Sequence, residues 1–587
     1  MLNACENPFG TASSTVSLSL PVVTQENITF TPIATGEGIR SDKRPVAAGF
    51  YDASVEKTFV AWLGDDSNPF VQAYDHQSAT WTASKRVGNI KASSSFEGAD
   101  SHNYPLLIQA DDGRLLVFYA EHSDELRLAA SPQASSIEGA WSDTVISEAP
   151  AASYPMPVKV ANGDIYVFYR ESSYVVERNL ESDDRPLQYV MSRDNGVTWK
   201  SSEELTGARI AIGSWDRADN LDEIYVGQVR YQPRQGLTSE RIHIVWTIAG
   251  GGRESPRHNR YHKDVYYSYF QPSNKHFYCA NGRDLGVSIS KTDMAHCLVE
   301  DTGTPNSRRP HAVGYVQLIH YTKGASPLIV YPLETSEGDV NRVARWERSS
   351  WVLDDMPIEG SPMDMERQDA NTFTVYLGKG EVRAVSSRDG GQSWQLESRF
   401  SLPENKGLGN LYVIDNFRDP AKLLVTETTR QLTPSADIFL VGGARCLLTG
   451  NFRLKDSWGE NYLSVSTDNP NKTFLSSLEV GNSEQVWRFI DVGNGTCKLK
   501  NLRYGSYLSS IGDIIDAEIE MQSSSSNDEN QRWLVRRTED GDYKLENISL
   551  SEMYLRSSGP EVGDEADLIA FKLDNDKSQR WIIEPVE

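Results

Sequence analysis

"SRDNGVTW" (residues 192–199) returns as "SRDGGQSW" (387–394), with a worn copy, "YDHQSATW", at 74–81. The shared pattern, S-x-D-x-G-x-[TS]-W, has a turn at its centre and a large aromatic at its end. An Asp carboxylate can accept from the amides of such a turn while the Trp packs into the neighbouring sheet. Asp194, Trp199, Asp389 and Trp394 are therefore assigned to structure. Around the octets run apolar stretches such as "LLVFYAE" (115–121), "DIYVFYR" (164–170), "IHIVWTI" (242–248) and "DVYYSYF" (264–270), separated by Gly, Asn and Asp turns. Their alternation is that of strands, and no long stretch of helical period interrupts them.

Strand clusters fall into seven units, about 48–85, 100–145, 151–205, 222–290, 308–355, 360–400 and 405–447. These predict an all-β fold: a seven-bladed β-propeller over residues 1–447, six or eight blades being the alternatives. The octets resemble the Asp-box repeats found on turns between outer strands of such blades. The last unit has three clear strands, and "TVSLSLPVV" (15–23) is the expected fourth, closing the ring and removing its open edges. A Cys5–Cys446 bridge would pin that closure. Cys279 and Cys297 form a second candidate pair, leaving Cys497 free, against the alternative of a fully reduced chain.

Beyond residue 447 the pattern changes. "EQVWRFI", "NQRWLVR" and "SQRWIIE" place Trp487, Trp533 and Trp581 at spacings of 46 and 48 residues, each with a Gln two positions earlier. Upstream of each lies a similar element, "GENYLSV", "RYGSYLSS" and "SEMYLRSS". Three matched copies imply one core shared around a pseudo-threefold axis. Residues 448–587 resemble a ricin-type β-trefoil, a carbohydrate-binding-like module. Sugar sites of that family often carry an Asp where this chain has Ser464, Ser509 and Arg556, so the module is either a polysaccharide anchor or a structural companion.

At 587 residues, with a formal charge of −24, the chain is too long for one core and too acidic for nucleic acid. No apolar stretch reaches the roughly 18 residues that span a bilayer. The start, "MLNACENPFG", lacks a basic and an apolar signal region. Sequons at Asn27, Asn471, Asn494 and Asn547 favour a secreted, extracellular protein, and a monomer is expected. An anionic substrate of so acidic a protein needs a local cationic pocket.

Two of the ten histidines bracket one hairpin, "DSHNYPLLIQADDGRLLVFYAEHS" (100–123). A three-residue loop at 111–113 makes partner numbers sum to 224, so His102 faces His122. The next hairpin, "SYPMPVKVANGDIYVFYRES" (153–172), has partners summing to 324, so Tyr154 faces Arg170. A two-residue Asn162–Gly163 loop would instead put Glu171 there. In a propeller these equivalent ends converge on one face, so the four side chains are expected to share a pocket. The plainer alternative is two hydrogen-bonded strand histidines and an Arg170 paired with Glu171 or Asp124.

The segments "DSHNYPLLIQADDGRLLVFYAEH", "YPMPVKVANGDIYVFYR", "DVYYSYF", "FYCANGRDL" and "SSRDGGQSW" are similar to the propeller domain of ulvan lyases and of fungal L-rhamnose-α-1,4-D-glucuronate lyases, over about residues 95–400. The resemblance implies a polysaccharide lyase acting on a uronic-acid-containing polymer, with His102, His122, Tyr154 and Arg170 catalytic. Removing the C5 proton of a uronate is hard because its carboxylate resists more negative charge; a guanidinium on that carboxylate stabilises the developing enediolate. Arg170 takes that role, His102 is the base with His122 orienting it, and Tyr154 protonates the leaving O4 or acts as base. Tyr225 is carried over as a substrate contact, with Arg230, Arg217 and His262 as further binding candidates. The reaction requires no cofactor. Some ulvan lyases hold a structural zinc, which Cys279 with His258, His276 or His311 could imitate; no tight metal spacing is present, and a structural calcium or zinc ion is the most the resemblance allows.

Sequons favour the rhamnose-releasing reaction on arabinogalactan such as gum arabic, with ulvan lyase as the alternative. A glycoside hydrolase of α-L-rhamnosidase or exo-arabinanase type needs two placed carboxylates, a sialidase needs an R-I-P motif that is missing, and a non-catalytic propeller lectin would form no product.

Overall fold

The computed structural model describes residues 28–586, apart from 39–43, 65, 77, 79, 90–101, 103, 121–122, 173–183, 216, 252–258, 305–311, 336–337, 429–435, 444–445, 447, 449, 493–494, 513–517, 524–528, 539–540, 551–552, 564–565 and 571–576. Its regular structure is almost entirely strand, as the alternating pattern requires. Most sheets are antiparallel meanders of four or so strands joined by tight turns.

The first strand of each sheet packs on the first strand of the next, in the order Gly49–Asp52, Leu106–Gln109, Ala152–Lys159, Glu223–Gln232, Leu318–Tyr321, Ser361–Arg367 and Leu408–Arg418. The circuit returns to its start through a parallel bridge between Phe50 and Asp415. The outermost strand of the last sheet comes from the N-terminal side of the chain, where Ile28–Gly38 pairs antiparallel with Ala436–Gly443. Closure thus falls to a later stretch than "TVSLSLPVV", which lies outside the described residues.

Both clear octets sit between the third and fourth strands of their sheets. Asp194 accepts from the Thr198 amide and hydroxyl (2.8 and 2.6 Å), and the indole of Trp199 donates to the Gly196 carbonyl at 3.2 Å. Asp389, Ser393, Trp394 and Gly391 repeat the arrangement. These residues close turns and pack, as their pattern implied.

The C-terminal strands, from Gly450–Asp456 to Trp581–Pro585, form a separate twelve-stranded system whose first and last members pair. Trp487, Trp533 and Trp581 are fully buried, and each indole donates to a carbonyl of its own repeat: Leu463, Leu508 and Leu555, at 2.9 to 3.0 Å. Gln485 and Gln531 of the Q-x-W steps donate to the carbonyls of Ser477 and Ser523. The conserved spacing is therefore a threefold way of satisfying indole N–H groups in an apolar core. Ser464 and Ser509 are buried with hydroxyls bonded inward, to Ser476 and to the Tyr507 carbonyl; they do not present a polar group to a ligand. Asn547 is equally buried and donates to the Asn530 carbonyl at 3.0 Å, so that sequon is inaccessible in the folded state.

The cysteine pairing differs from expectation. Cys446 is bonded to Cys497, across 51 residues; Cys5 lies outside the described residues. Cys446 follows the ring-closing strand closely but points into the trefoil core, which places it beside Cys497 and makes the predicted free cysteine a bonded one. Cys279 and Cys297 are buried thiols in mutual contact, without a bond between them. Loop-closure entropy for about 51 residues is worth about 4 kcal/mol. Cys497→Ser is therefore expected to lower the stability of the C-terminal unit by about 2–4 kcal/mol, read as a shift of its urea unfolding midpoint under non-reducing conditions.

Candidate active site

The two hairpins form the predicted loops. Ala110 and Gly113 close one three-residue turn and Val160 and Gly163 the other, with both glycines at φ above +80°. In the first hairpin Leu106 pairs with Phe118 and Gln109 with Leu115, the expected sum of 224. His102 is half-buried beyond the last pair; His122 lies outside the described residues.

The second hairpin keeps its register from Lys159–Ile165 to Met156–Phe168 and then slips, so that Ser153 stands opposite Arg170. Tyr154 is therefore not the cross-strand partner of Arg170. Pro155 has no N–H to give the ladder, and Tyr154 takes φ +55°, a left-handed conformation costly for an aromatic residue. The resulting bulge re-aims Tyr154 without parting the two residues: the Arg170 guanidinium carbon is 4.8 Å from the Tyr154 ring centroid.

Arg170 is the centre of the cluster. It is 3 % exposed, and none of its three guanidinium nitrogens has a well-formed hydrogen bond among the described residues. Glu171, its proposed ion-pair partner, is taken by Arg209 at 3.3 Å. Aromatic faces replace an acid: the Tyr225 ring, like that of Tyr154, is 4.8 Å away. Burial works against the charge, but Tyr225, Tyr154 and Glu223 outweigh it and hold the guanidinium pKa above its usual value. Burial pushes the Tyr225 hydroxyl up as well, opposed by Arg170.

His102 meets the Tyr154 ring edge-on at 5.5 Å. On the other side, buried His262 packs edge-to-face on Tyr225 at 4.8 Å and on Tyr315 at 4.4 Å. Its Nε2 donates to the Asn259 side-chain oxygen, and the Asn259 backbone N–H donates to buried Glu223 at 2.9 Å. The structure thus brings together His102, Tyr154, Arg170, Tyr225 and His262.

Two candidates lie elsewhere. Arg230 is five residues beyond Tyr225, opposite His243 rather than Thr247, and a bulge between Val226 and Gln228 alters the facing. It is bound to Asp364 at 2.9 Å and approaches Asp415 at 3.7 Å, lining a cavity of about 950 Å³ toward the turn end of the inner strands. Arg217 is held by its own loop, bidentate to Asp219 at 2.7 and 2.8 Å. Among the described residues no group of three or more His, Cys, Asp or Glu has a metal-holding arrangement; His276 pairs with Asp284, and His258 and His311 lie outside the described residues.

Sequence reasoning missed Arg44, whose guanidinium carbon is 4.5 Å from the Tyr154 ring centroid, and Tyr315. Neither belongs to a His/His or Tyr/Arg hairpin. One signal went unread: Tyr104, Tyr154, Tyr225 and Tyr315 all stand near the start of a first strand, in four successive units.

Residues 57–314 match the family described as BNR repeat-containing, and residues 483–570 the ricin-type β-trefoil lectin domain-like family. Over 417 residues the chain is 22 % identical to Ulvan Lyase-PL25 of Pseudoalteromonas sp. (strain PLSV), covering 65 % of this chain and 81 % of that one. It is 24 % identical over 432 residues to the ulvan lyase of Alteromonas sp. (strain LOR), covering 68 % and 84 %. The chain resembles a polysaccharide lyase with a ricin-type trefoil. A solved PL25 ulvan lyase bound to -[GlcA(1-4)Rha3S]- shares its fold, with a TM-score of 0.56 at 17 % identity, over 71 % of this chain and 96 % of that one.

Burial pushes the Asp364 carboxyl up to about 6, against the pull of Arg230 and the amides of Val413 and Met365. A folded-state pKa above the unfolded value favours folding while the proton stays on, and that contribution is lost as pH rises from about 4 through 6. Over this window wild-type stability should fall relative to Asp364→Asn by up to about 3 kcal/mol, read as a pH-dependent difference between their melting temperatures; a difference that stays constant from about pH 4 to 7 would mean an ordinary Asp364.

Proposed function

We propose that the protein is a polysaccharide lyase that cleaves the 4-linkage to a glucuronate by β-elimination, on a propeller whose sheets are counted as seven blades. The observation that carries this reading is the buried Arg170 beneath two tyrosines, with no acid hydrogen-bonded to it among the described residues and with His102 against one of the rings. A cation whose N–H groups are taken by no carboxylate among the described residues is suited to one that arrives with the substrate.

The sugar carboxylate takes the N–H groups of Arg170, whose guanidinium is flanked by the rings of Tyr154 and Tyr225. With the carboxylate neutralised, His102 takes the C5 proton and the electrons of that bond form the C4–C5 double bond. The C4–O4 bond breaks, and Tyr154 supplies a proton to the leaving oxygen. His122 orients His102. Tyr225, backed by buried His262, forms the wall beside the sugar ring. No cofactor enters these steps.

For the substrate, the reading begins with rhamnosyl-glucuronate ends of arabinogalactan, released as L-rhamnose by a secreted enzyme; the exposed sequon at Asn471 supports secretion. Ulvan is the second reading, favoured by the names of the similar proteins. The trefoil serves as a companion module, with Ser464 and Ser509 turned inward. The protein works as a monomer.

Incubation with gum arabic and with ulvan should generate an unsaturated uronate, followed by near-ultraviolet absorbance, with free rhamnose from the first or new chain ends from the second. New reducing ends without that chromophore would mean hydrolysis, and no product would mean a lectin. Arg170→Ala should reduce kcat by about 10²–10³, and His102→Ala by about 10²–10⁴, both measured by the same absorbance.

A further inference from the structure

Arg44 lies in "DKRPVAAG" (42–49), ahead of the first inner strand and outside every hairpin that supplies the cluster. Its backbone is tied to the neighbouring inner strands and not to the hairpin of Tyr154 and Arg170. The Pro45 carbonyl accepts from Gln228, and the Ala47 carbonyl from the Leu107 amide at 2.7 Å. The side chain is 4 % exposed, and its Nη1 donates to the Tyr315 carbonyl at 3.2 Å. From this anchor the guanidinium reaches the Tyr154 ring, closer to its centroid than Arg170 is.

Two cations therefore compete for one ring, and only one of them is needed by the substrate. Once a carboxylate occupies Arg170, its charge is neutralised and the hold of that guanidinium on the Tyr154 ring weakens. Tyr154, on a bulge at φ +55° and only half-buried, then needs another restraint if its hydroxyl is to stay at the leaving oxygen. Arg44 remains in place because its bonds run to Tyr315 and its backbone to other inner strands.

Resting on the lyase reading, we propose that Arg44 is a positioning residue, which keeps the Tyr154 ring in place while a uronate carboxylate takes over Arg170. A desolvated cation–π contact of this kind supports roughly a tenfold effect. It acts on turnover more than on substrate binding, because the carboxylate is held by Arg170.

The test compares Arg44→Met, which keeps the length and removes the charge, with Arg44→Lys, which keeps the charge. Arg44→Met should lower kcat about tenfold with KM changed less than about threefold, and Arg44→Lys should restore most of the loss. In ¹³C-tyrosine NMR, the Tyr154 ring signal, identified by its disappearance in Tyr154→Phe, should move in Arg44→Met and return in Arg44→Lys. Wild-type kcat with an unmoved Tyr154 signal in Arg44→Met overturns the proposal. So does a loss that follows a fall in melting temperature and is not rescued by Arg44→Lys. Should wild-type protein cleave neither polymer, the lyase reading falls and the Tyr154 signal alone decides the role of Arg44.

Discussion

The antiparallel pairing of Ile28–Gly38 with Ala436–Gly443 is the constraint on which the ring depends. Each sheet is a local meander that buries its faces against its neighbours, and none of these contacts by itself requires a circle. Joining segments some four hundred residues apart covers the edge of Ala436–Gly443 and ties the start of the described chain to its last sheet. It also fixes how far each inner strand can lean. Arg44, Tyr154, Tyr225 and Tyr315 arrive from different parts of the circuit, so the geometry of the cluster is a property of closure.

Within that frame the arginine is held in an unusual way. Burying a cation without an acid costs several kcal/mol, and an interior carboxylate would be the ordinary remedy. Here the guanidinium meets tyrosine faces, whose quadrupoles offset part of the cost, and Glu223 adds a favourable charge without a hydrogen bond to it. In a chain carrying −24 overall, keeping acids from pairing directly with one arginine takes specific neighbours. Arg209 does this directly by engaging Glu171, the residue next to Arg170. At the turn end of the same channel the opposite solution operates, Arg230 being neutralised by Asp364.

Much of this could be read from residues alone where local rules govern. The octets predicted their own turns, and the Ala-Asn-Gly and Asp-Asp-Gly loops predicted the hairpin registers as far as the ladders run. The reading failed where a ladder was interrupted. Pro155 removes a donor and Tyr154 turns left-handed, so the predicted Tyr154–Arg170 pair became a contact across a bulge. A second bulge, at Gly227, lies between Tyr225 and Arg230, two residues the strand pattern had grouped. Cys446 was misassigned because sequence order places it at the end of one unit while its thiol belongs to the core of the next. Arg44 escaped notice because a long side chain ahead of a strand carries no periodic signature.

The bond between Cys446 and Cys497 has a mechanical consequence. Only three residue steps separate Gly443, the last residue of the closing strand, from the cross-linked cysteine, a span of roughly 10 Å at full stretch. A module on so short a leash cannot sweep through solution like a hook on a flexible line. The trefoil core therefore stays close to the end of the ring-closing strand, so its worth to the rest of the molecule lies in nearness and not in reach.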